Sequence, residues 1–130
     1  MATPQPTKIH YSKSRHCLEL HYADGHLIEL TAELLRVLSP SAEVQGHGSP
    51  KLQSGKKDVR IWNIEPVGRY ALKLSVDDGH DTGLFTWDYF WKFGENKELW
   101  WQRYLDQLAA AGESRSPKLI PLAIDVGTKS

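Results

Sequence analysis

The sequence predicts an α+β domain, with small antiparallel sheets made from two hairpin–helix units and a C-terminal amphipathic helix. Three observations carry this. First, Leu18, Leu20, Asp24, Gly25, His26 and Leu30 recur at a constant offset of 54 as Leu72, Leu74, Asp78, Gly79, His80 and Leu84. Thr31 and Thr86 follow, after one extra residue in the second copy, each placed to cap a helix. Second, the segments flanking both Asp-Gly pairs alternate apolar and polar residues, the period of a half-buried strand. Third, Trp101, Tyr104, Leu105 and Leu108 fall at i, i+3, i+4 and i+7, one apolar stripe on a helix.

Taken in order, residues 1–7 are Pro- and Thr-rich and are expected to be a flexible N-terminus. Lys8 to Tyr11 reads as a short strand. Cys17 to Tyr22 places Leu18, Leu20 and Tyr22 on one face and Glu19 and His21 on the other. Asp24-Gly25 tolerates the positive φ of a tight turn, and His26 to Leu30 returns. Thr31 caps a helix from Ala32 to Leu38, with Glu33 in the first turn and Pro40 just past the end. Residues 39–58 form a long polar stretch punctuated by Gly46, Gly48, Pro50 and Gly55. A loop of this length is functional or mobile. Val59 to Ile64 alternates, with Val59 and Ile61 on one face and Trp62 and Ile64 on the other, until Pro66 and Gly68 break the run. Tyr70 to Val76 is the clearest strand, and Thr82 to Phe85 is its return. Thr86 begins a short helix ended by Gly94, and a longer helix runs from about Lys97 to Ala111, ended by Gly112. The domain is read over 8–112, with 113–130 as a tail whose Leu119–Ile124 stretch is apolar enough to dock.

Sixteen Lys+Arg balance sixteen Asp+Glu in 130 residues. A zero net charge argues against nucleic acid as a partner, which needs a clustered basic surface, and against a polybasic membrane patch. Cys17 is the one cysteine, so an internal disulfide and an all-cysteine zinc site are excluded. With neither an apolar signal segment nor a run approaching membrane-spanning length, a cytoplasmic location is expected.

Enzyme motifs are not found. The glycine spacing of Gly48 to Lys57 does not fit a phosphate loop, and no Gly-x-Ser-x-Gly elbow is present. No His is followed two residues later by Asp or Glu, the usual mark of a two-His-one-carboxylate iron site. Two constellations remain. His80, in Asp77-Asp78-Gly79-His80-Asp81, would form a metal site with His47 and Glu43 if the fold brought them together, with zinc or iron as the metal. The plainer reading is that His80 braces its turn and His47 is solvated. The other constellation is aromatic. Trp87, Trp91, Trp100 and Trp101 crowd the stretch 87–104 with Tyr89, Phe90, Phe93 and Tyr104. They form either a recognition surface for a protein partner or the filling of a small core.

The run Leu35-Arg36-Val37-Leu38-Ser39-Pro40-Ser41-Ala42-Glu43-Val44-Gln45-Gly46-His47-Gly48 is distinctive. So are Ile64-Glu65-Pro66-Val67-Gly68-Arg69-Tyr70-Ala71-Leu72, Asp77-Asp78-Gly79-His80-Asp81-Thr82-Gly83 and Phe85-Thr86-Trp87. Together they resemble the gamma-butyrobetaine hydroxylase-like N-terminal domain family, a domain of unknown function, over about residues 8–108. A small stand-alone bacterial member is the nearest type. In the hydroxylases that name the family, the resemblance implies a domain preceding a separate iron- and 2-oxoglutarate-dependent catalytic domain. It also implies a zinc held there by three cysteines and the histidine that His80 matches. Ser39, Ser41 and Val44 stand where those cysteines lie, and neither residue type replaces a thiolate on zinc. Related domains fused to P-loop scaffold ATPases imply a link to iron–sulfur assembly. The leading expectation is a non-catalytic accessory or protein-interaction module whose partner the sequence does not name. The alternative is a metal-binding module linked to iron or iron–sulfur metabolism, and an enzyme ranks last.

Overall fold

The computed structural model describes residues 3–39 and 52–117. Its elements are β1 (Lys8–Ser12), β2 (Cys17–His21), β3 (Leu27–Thr31), α1 (Ala32–Val37), β4 (Ile61–Val67), β5 (Ala71–Val76), β6 (Asp81–Thr86) and α2 (Trp87–Ala110). They form two three-stranded antiparallel sheets, in the orders β1-β2-β3 and β4-β5-β6. The repeat read from the sequence therefore gains a third strand, and each unit is three strands and a helix. The sheets bury Leu18, Leu20 and Leu30 from the first unit against Leu72, Leu74 and Phe85 from the second in one continuous core. The Ile61 amide of β4 also donates to the Tyr11 hydroxyl of β1 at 3.1 Å.

The two turns are built alike. Gly25 and Gly79 both have φ of 89°, a conformation open to glycine. In each turn the glycine amide bonds back to the strand end, from Gly25 to Tyr22 and from Gly79 to Val76, both at 3.0 Å. The aspartate accepts the amide of the following histidine, at 2.9 Å for Asp24 and 3.2 Å for Asp78. Both helix caps form as expected. Thr31 Oγ1 accepts from the Leu34 amide and Thr86 Oγ1 from the Tyr89 amide, each at 3.1 Å.

The extra residue of the second unit is a β-bulge. β2 and β3 keep one register throughout, from Cys17 opposite Thr31 to His21 opposite Leu27. β5 and β6 slip between Lys73 and Ser75, where Gly83 takes φ of 76°. The slip corrects one expected equivalence. Phe85, fully buried opposite Leu72, takes the place that Leu30 holds opposite Leu18, and Leu84 is turned outward at 39% exposure. The Thr82 hydroxyl fills the bulge by accepting the Leu74 amide at 3.0 Å.

β4 departs from simple alternation for the same physical reason. Ile61 pairs with Val76 and Asn63 with Ser75, leaving Trp62 as the bulged residue. The bulge puts Ile64, which pairs with Leu74, on the inner face with Ile61, and it leaves Trp62 70% exposed. Pro66 does not break the strand. β4 lies at a sheet edge, where a missing amide is tolerated.

Gly94 does not end a helix either. α2 runs unbroken for 24 residues, about 36 Å at 1.5 Å per residue. A Cβ at Gly94 would lie 2.6 Å from Ile28 Cδ1, so the glycine lets α2 approach β3 closely. Phe90 and Phe93 in the first half of α2 are fully buried. In the second half Tyr104 and Leu108 pack with Val37 of α1. The helix stops at Gly112, with φ of 68°, where the Glu113 amide bonds to Leu108 and the Gly112 amide to Ala109. Residues 113–117 then fold back along residues 53–57. The Gly55 amide donates to the Ser114 carbonyl and the Lys57 amide to the Arg115 carbonyl, both at 2.9 Å.

Candidate functional site

The second Asp-Gly-His turn lies in a polar cleft of about 330 Å³, lined by Arg36, Lys56, Asp78, Gly79, His80 and Asp81. Helix α1 of the first unit supplies Arg36, whose Nε donates to Asp78 Oδ2 at 2.9 Å. Lys56 Nζ donates to the same oxygen at 2.7 Å. Partial burial pushes the Asp78 carboxyl up, but the bonds and charges of Lys56 and Arg36 outweigh it and hold the group below its ordinary value. Asp78 is thus an ionised anchor between the two units.

His80 is 7% exposed and sits against Ser39, with Nε2 to Oγ at 3.1 Å. Ser39 Oγ gives its single proton to the Thr82 carbonyl at 2.7 Å. It therefore accepts from His80, which carries the proton on Nε2 in this pairing. In this arrangement Nε2 is engaged with Ser39. Ser39 also stands at one of the three positions where the expected zinc set has cysteine. The described donors at this site do not fit a three-cysteine, one-histidine zinc. Among the described residues no group of three His, Cys, Asp or Glu side chains could hold a metal ion. Glu43, His47, Ser41 and Val44 lie outside the described residues.

The four clustered tryptophans are each half-buried and each has packing partners. Trp87 donates its indole N–H to the Arg69 carbonyl at 2.7 Å and stacks on Phe90. Trp91 lies edge-on to Tyr22 and against His26. Trp100 meets Phe93 edge-on, and Trp101 packs beside Tyr104 under the Arg115 guanidinium. Trp62 is the exposed tryptophan, and simple alternation had not marked it out because the bulge follows from the pairing with β5. Sequence reasoning also missed the joining of Arg36 and Lys56 on Asp78. Arg36 stood in the distinctive Leu35–Gly48 run, but nothing in that run pairs it with Asp78.

A further group lies under the fold-back. Arg115 Nε and Nη2 reach both oxygens of Glu33, the shortest contact being 2.8 Å from Nη2 to Oε1. The guanidinium sits 5.1 Å from the Trp101 ring centroid, a cation–π geometry. Tyr104 donates its hydroxyl to the Gln53 carbonyl, and burial with the nearby Glu33 charge pushes its phenol up to about 12. Cys17 is buried, and burial raises its thiol above the ordinary value, which makes it a poor nucleophile.

The family model described as gamma-butyrobetaine hydroxylase-like, N-terminal, matches residues 9–91, from β1 through the first turns of α2. The chain belongs to that family. Two solution NMR structures are similar to this gamma-butyrobetaine hydroxylase-like N-terminal domain along nearly all of its length. One is 48% identical, with a TM-score of 0.79, covering 96% of this chain and 100% of its own. The other is 46% identical, with a TM-score of 0.77, covering 97% and 95%. A crystal structure from Acidithiobacillus ferrooxidans, described as a protein of unknown function in the DUF971 family, is 40% identical. It has a TM-score of 0.56 and covers 65% of this chain and 86% of its own. No curated protein matches. The family is thus a domain of unknown function, and the match lies within the N-terminal-type domain. Among the described residues no helix is long and apolar enough to cross a membrane.

Proposed function

We propose that this domain is a non-catalytic accessory module that binds a protein partner, with Trp62 at the centre of the contact. The observation that supports this is the 70% exposure of Trp62 on a strand whose neighbouring apolar residues face inward. Tryptophan is enriched among the residues that dominate binding energy at protein interfaces, and a displayed indole is a ready anchor. The bulge and Pro66 obstruct the addition of another strand to β4, so the partner meets the side chain rather than the strand edge. The domain works in the cytoplasm, in keeping with a buried, unpaired thiol. The half-buried Trp87, Trp91, Trp100 and Trp101 offer smaller, secondary contacts around α2.

The test is affinity capture from an extract of the source cells, quantified by mass spectrometry, with wild type, Trp62→Ser and Trp101→Ala side by side. Proteins enriched by wild type are expected to fall at least about tenfold with Trp62→Ser, at an unchanged melting temperature. Equal enrichment by a folded Trp62→Ser protein sinks the Trp62 surface. Equal enrichment by folded Trp101→Ala removes the helical one.

One observation favours a second reading, a metal-binding module serving iron or iron–sulfur metabolism. His80 touches Ser39, the last described residue before the stretch of sequence that holds Glu43 and His47. A metal held by His80, His47 and Glu43 requires the His80 ring to release Ser39. Elemental analysis of dialysed, untagged protein is expected to find near-stoichiometric zinc or iron under this reading and to lose it with His80→Ala. Metal that persists in the His80→Ala/His47→Ala protein rules that site out.

A further inference from the structure

In an Asp-Gly pair the glycine amide nitrogen can attack the aspartate side-chain carboxyl, because glycine has no Cβ to hinder the approach. The new N–C bond closes a cyclic imide, and the amide proton leaves with the carboxyl hydroxyl as water. A water then reopens the ring. Attack at the side-chain carbonyl restores aspartate. Attack at the main-chain carbonyl leaves isoaspartate, with the backbone running through Cβ and Cγ. Closure needs an uncharged carboxyl released from its partners. The chain holds two such pairs, Asp24-Gly25 and Asp78-Gly79. Their local geometry is the same. Both glycines have φ of 89° and open space where a Cβ would stand. Both glycine amides bond to the strand end at 3.0 Å, and both aspartates accept the amide of the following histidine. The rest of the carboxylate differs. Asp24 is exposed, and among the described residues its side chain holds the His26 amide alone. The Asp78 side chain is 20% exposed, and its Oδ2 takes Arg36 at 2.9 Å and Lys56 at 2.7 Å. Those two cations favour the charged carboxylate and must both be released before a ring can close.

We propose that Asp24 is a site of spontaneous isoaspartate formation in the folded protein, and that Arg36 and Lys56 shield Asp78 from the same reaction. An isoaspartate at position 24 carries its free carboxylate on the main-chain Cα. That group is the substrate of a repair methyltransferase, which moves the sulfonium methyl of S-adenosylmethionine to a carboxylate oxygen. The exposed turn at Asp24 is then where such an enzyme acts on aged copies of this chain. The added backbone atom lengthens the link between β2 and β3 and displaces His26 from Trp91. The second turn, clamped to α1, keeps its form.

The test ages the full chain at neutral pH, folded and in urea. Isoaspartate is mapped by electron-transfer fragmentation of its peptides and counted by enzymatic methyl transfer from labelled S-adenosylmethionine. In the folded protein it is expected to form at 24 at least about ten times faster than at 78. In urea the gap is expected to close, because no fold then holds Arg36 and Lys56 on Asp78. Folded Lys56→Ala is expected to form isoaspartate faster at 78 and at an unchanged rate at 24. If that variant does not fold, the comparison of folded and urea-treated wild type decides alone. Four results would each overturn the proposal: a folded chain that stays intact at 24 while the urea-treated chain isomerises, equal rates at the two sites in the folded chain, a gap that persists in urea, or an unmoved rate at 78 in folded Lys56→Ala.

Discussion

At the first Asp-Gly-His turn, Asp24 accepts the His26 amide, and His26 lies in the open against Trp91. At the second, Asp78 accepts the corresponding amide and also holds Arg36 and Lys56, while His80 is buried against Ser39. The backbones match because the same short sequence dictates the same turn. The side chains diverge because α1, the helix of the first unit, packs against the second turn, while the first turn meets α2. A local motif thus sets the geometry, and the neighbours it acquires on folding set its chemistry.

The sharpest way to break this comparison is to truncate both aspartates. Asp78→Ala strips a carboxylate from both the Arg36 guanidinium and the Lys56 ammonium and is expected to cost about 3 kcal/mol. Asp24→Ala loses a turn bond and is expected to cost about 1 kcal/mol or less. Urea unfolding of the two variants measures the gap, and equal costs would show that Asp78 acts only as a turn residue. The same difference has a pH signature. Asp78 is held below its unfolded value, so its contribution is complete above about pH 4, the unfolded value, and is lost as pH falls through the lower folded value. Acid titration of stability is expected to be shallower in Asp78→Asn over that interval.

Ser39→Ala is expected to cost about 1–3 kcal/mol, since it strips a partner from both the His80 ring and the Thr82 carbonyl. His26→Ala, at the matching position of the first turn, is expected to stay below about 1 kcal/mol. The contact between the units is probed by Gly94→Ala, expected to destabilise by about 1 kcal/mol. Overpacking against Ile28 exceeds the roughly 1 kcal/mol that alanine gains over glycine in a helix. Ile28→Val removes the clashing methyl, so the double variant should recover part of the loss, and strict additivity would deny the contact. The smallest effect is expected at Tyr22→Phe. The Tyr22 hydroxyl is buried with no hydrogen-bond partner among the described residues, so its removal should change the melting temperature little or raise it slightly.

The parts of the fold that follow from neighbours in sequence were legible. The Asp-Gly turns, the threonine caps and the apolar stripe of α2 each carry their cause within a few residues. Gly94, Leu84 and Ile64 misled for a shared reason. A glycine ends a helix or admits a neighbouring side chain, and a strand keeps its alternation or bulges, according to what packs alongside. Ile28 decides the first, and the pairings with β5 decide the other two. At the candidate site, the Asp78-Gly79-His80 turn was visible from its motif. The pairing of His80 with Ser39 and the Arg36–Asp78 bridge, spanning 42 positions of chain, were not.

The edge of β4 has a consequence for how copies of this protein behave together. The chain carries no formal net charge at pH 7, so long-range repulsion does little to keep molecules apart in a concentrated solution. Shape has to take over that task. A kinked edge at Trp62, a proline at position 66 and the Tyr11 hydroxyl already seated on the Ile61 amide deprive an incoming copy of a straight row of hydrogen-bonding groups. At the β4 edge, resistance to such pairing comes from an irregular strand rather than from charge. Straightening β4 by deleting Trp62 would favour fibrous aggregation even if the domain still folded.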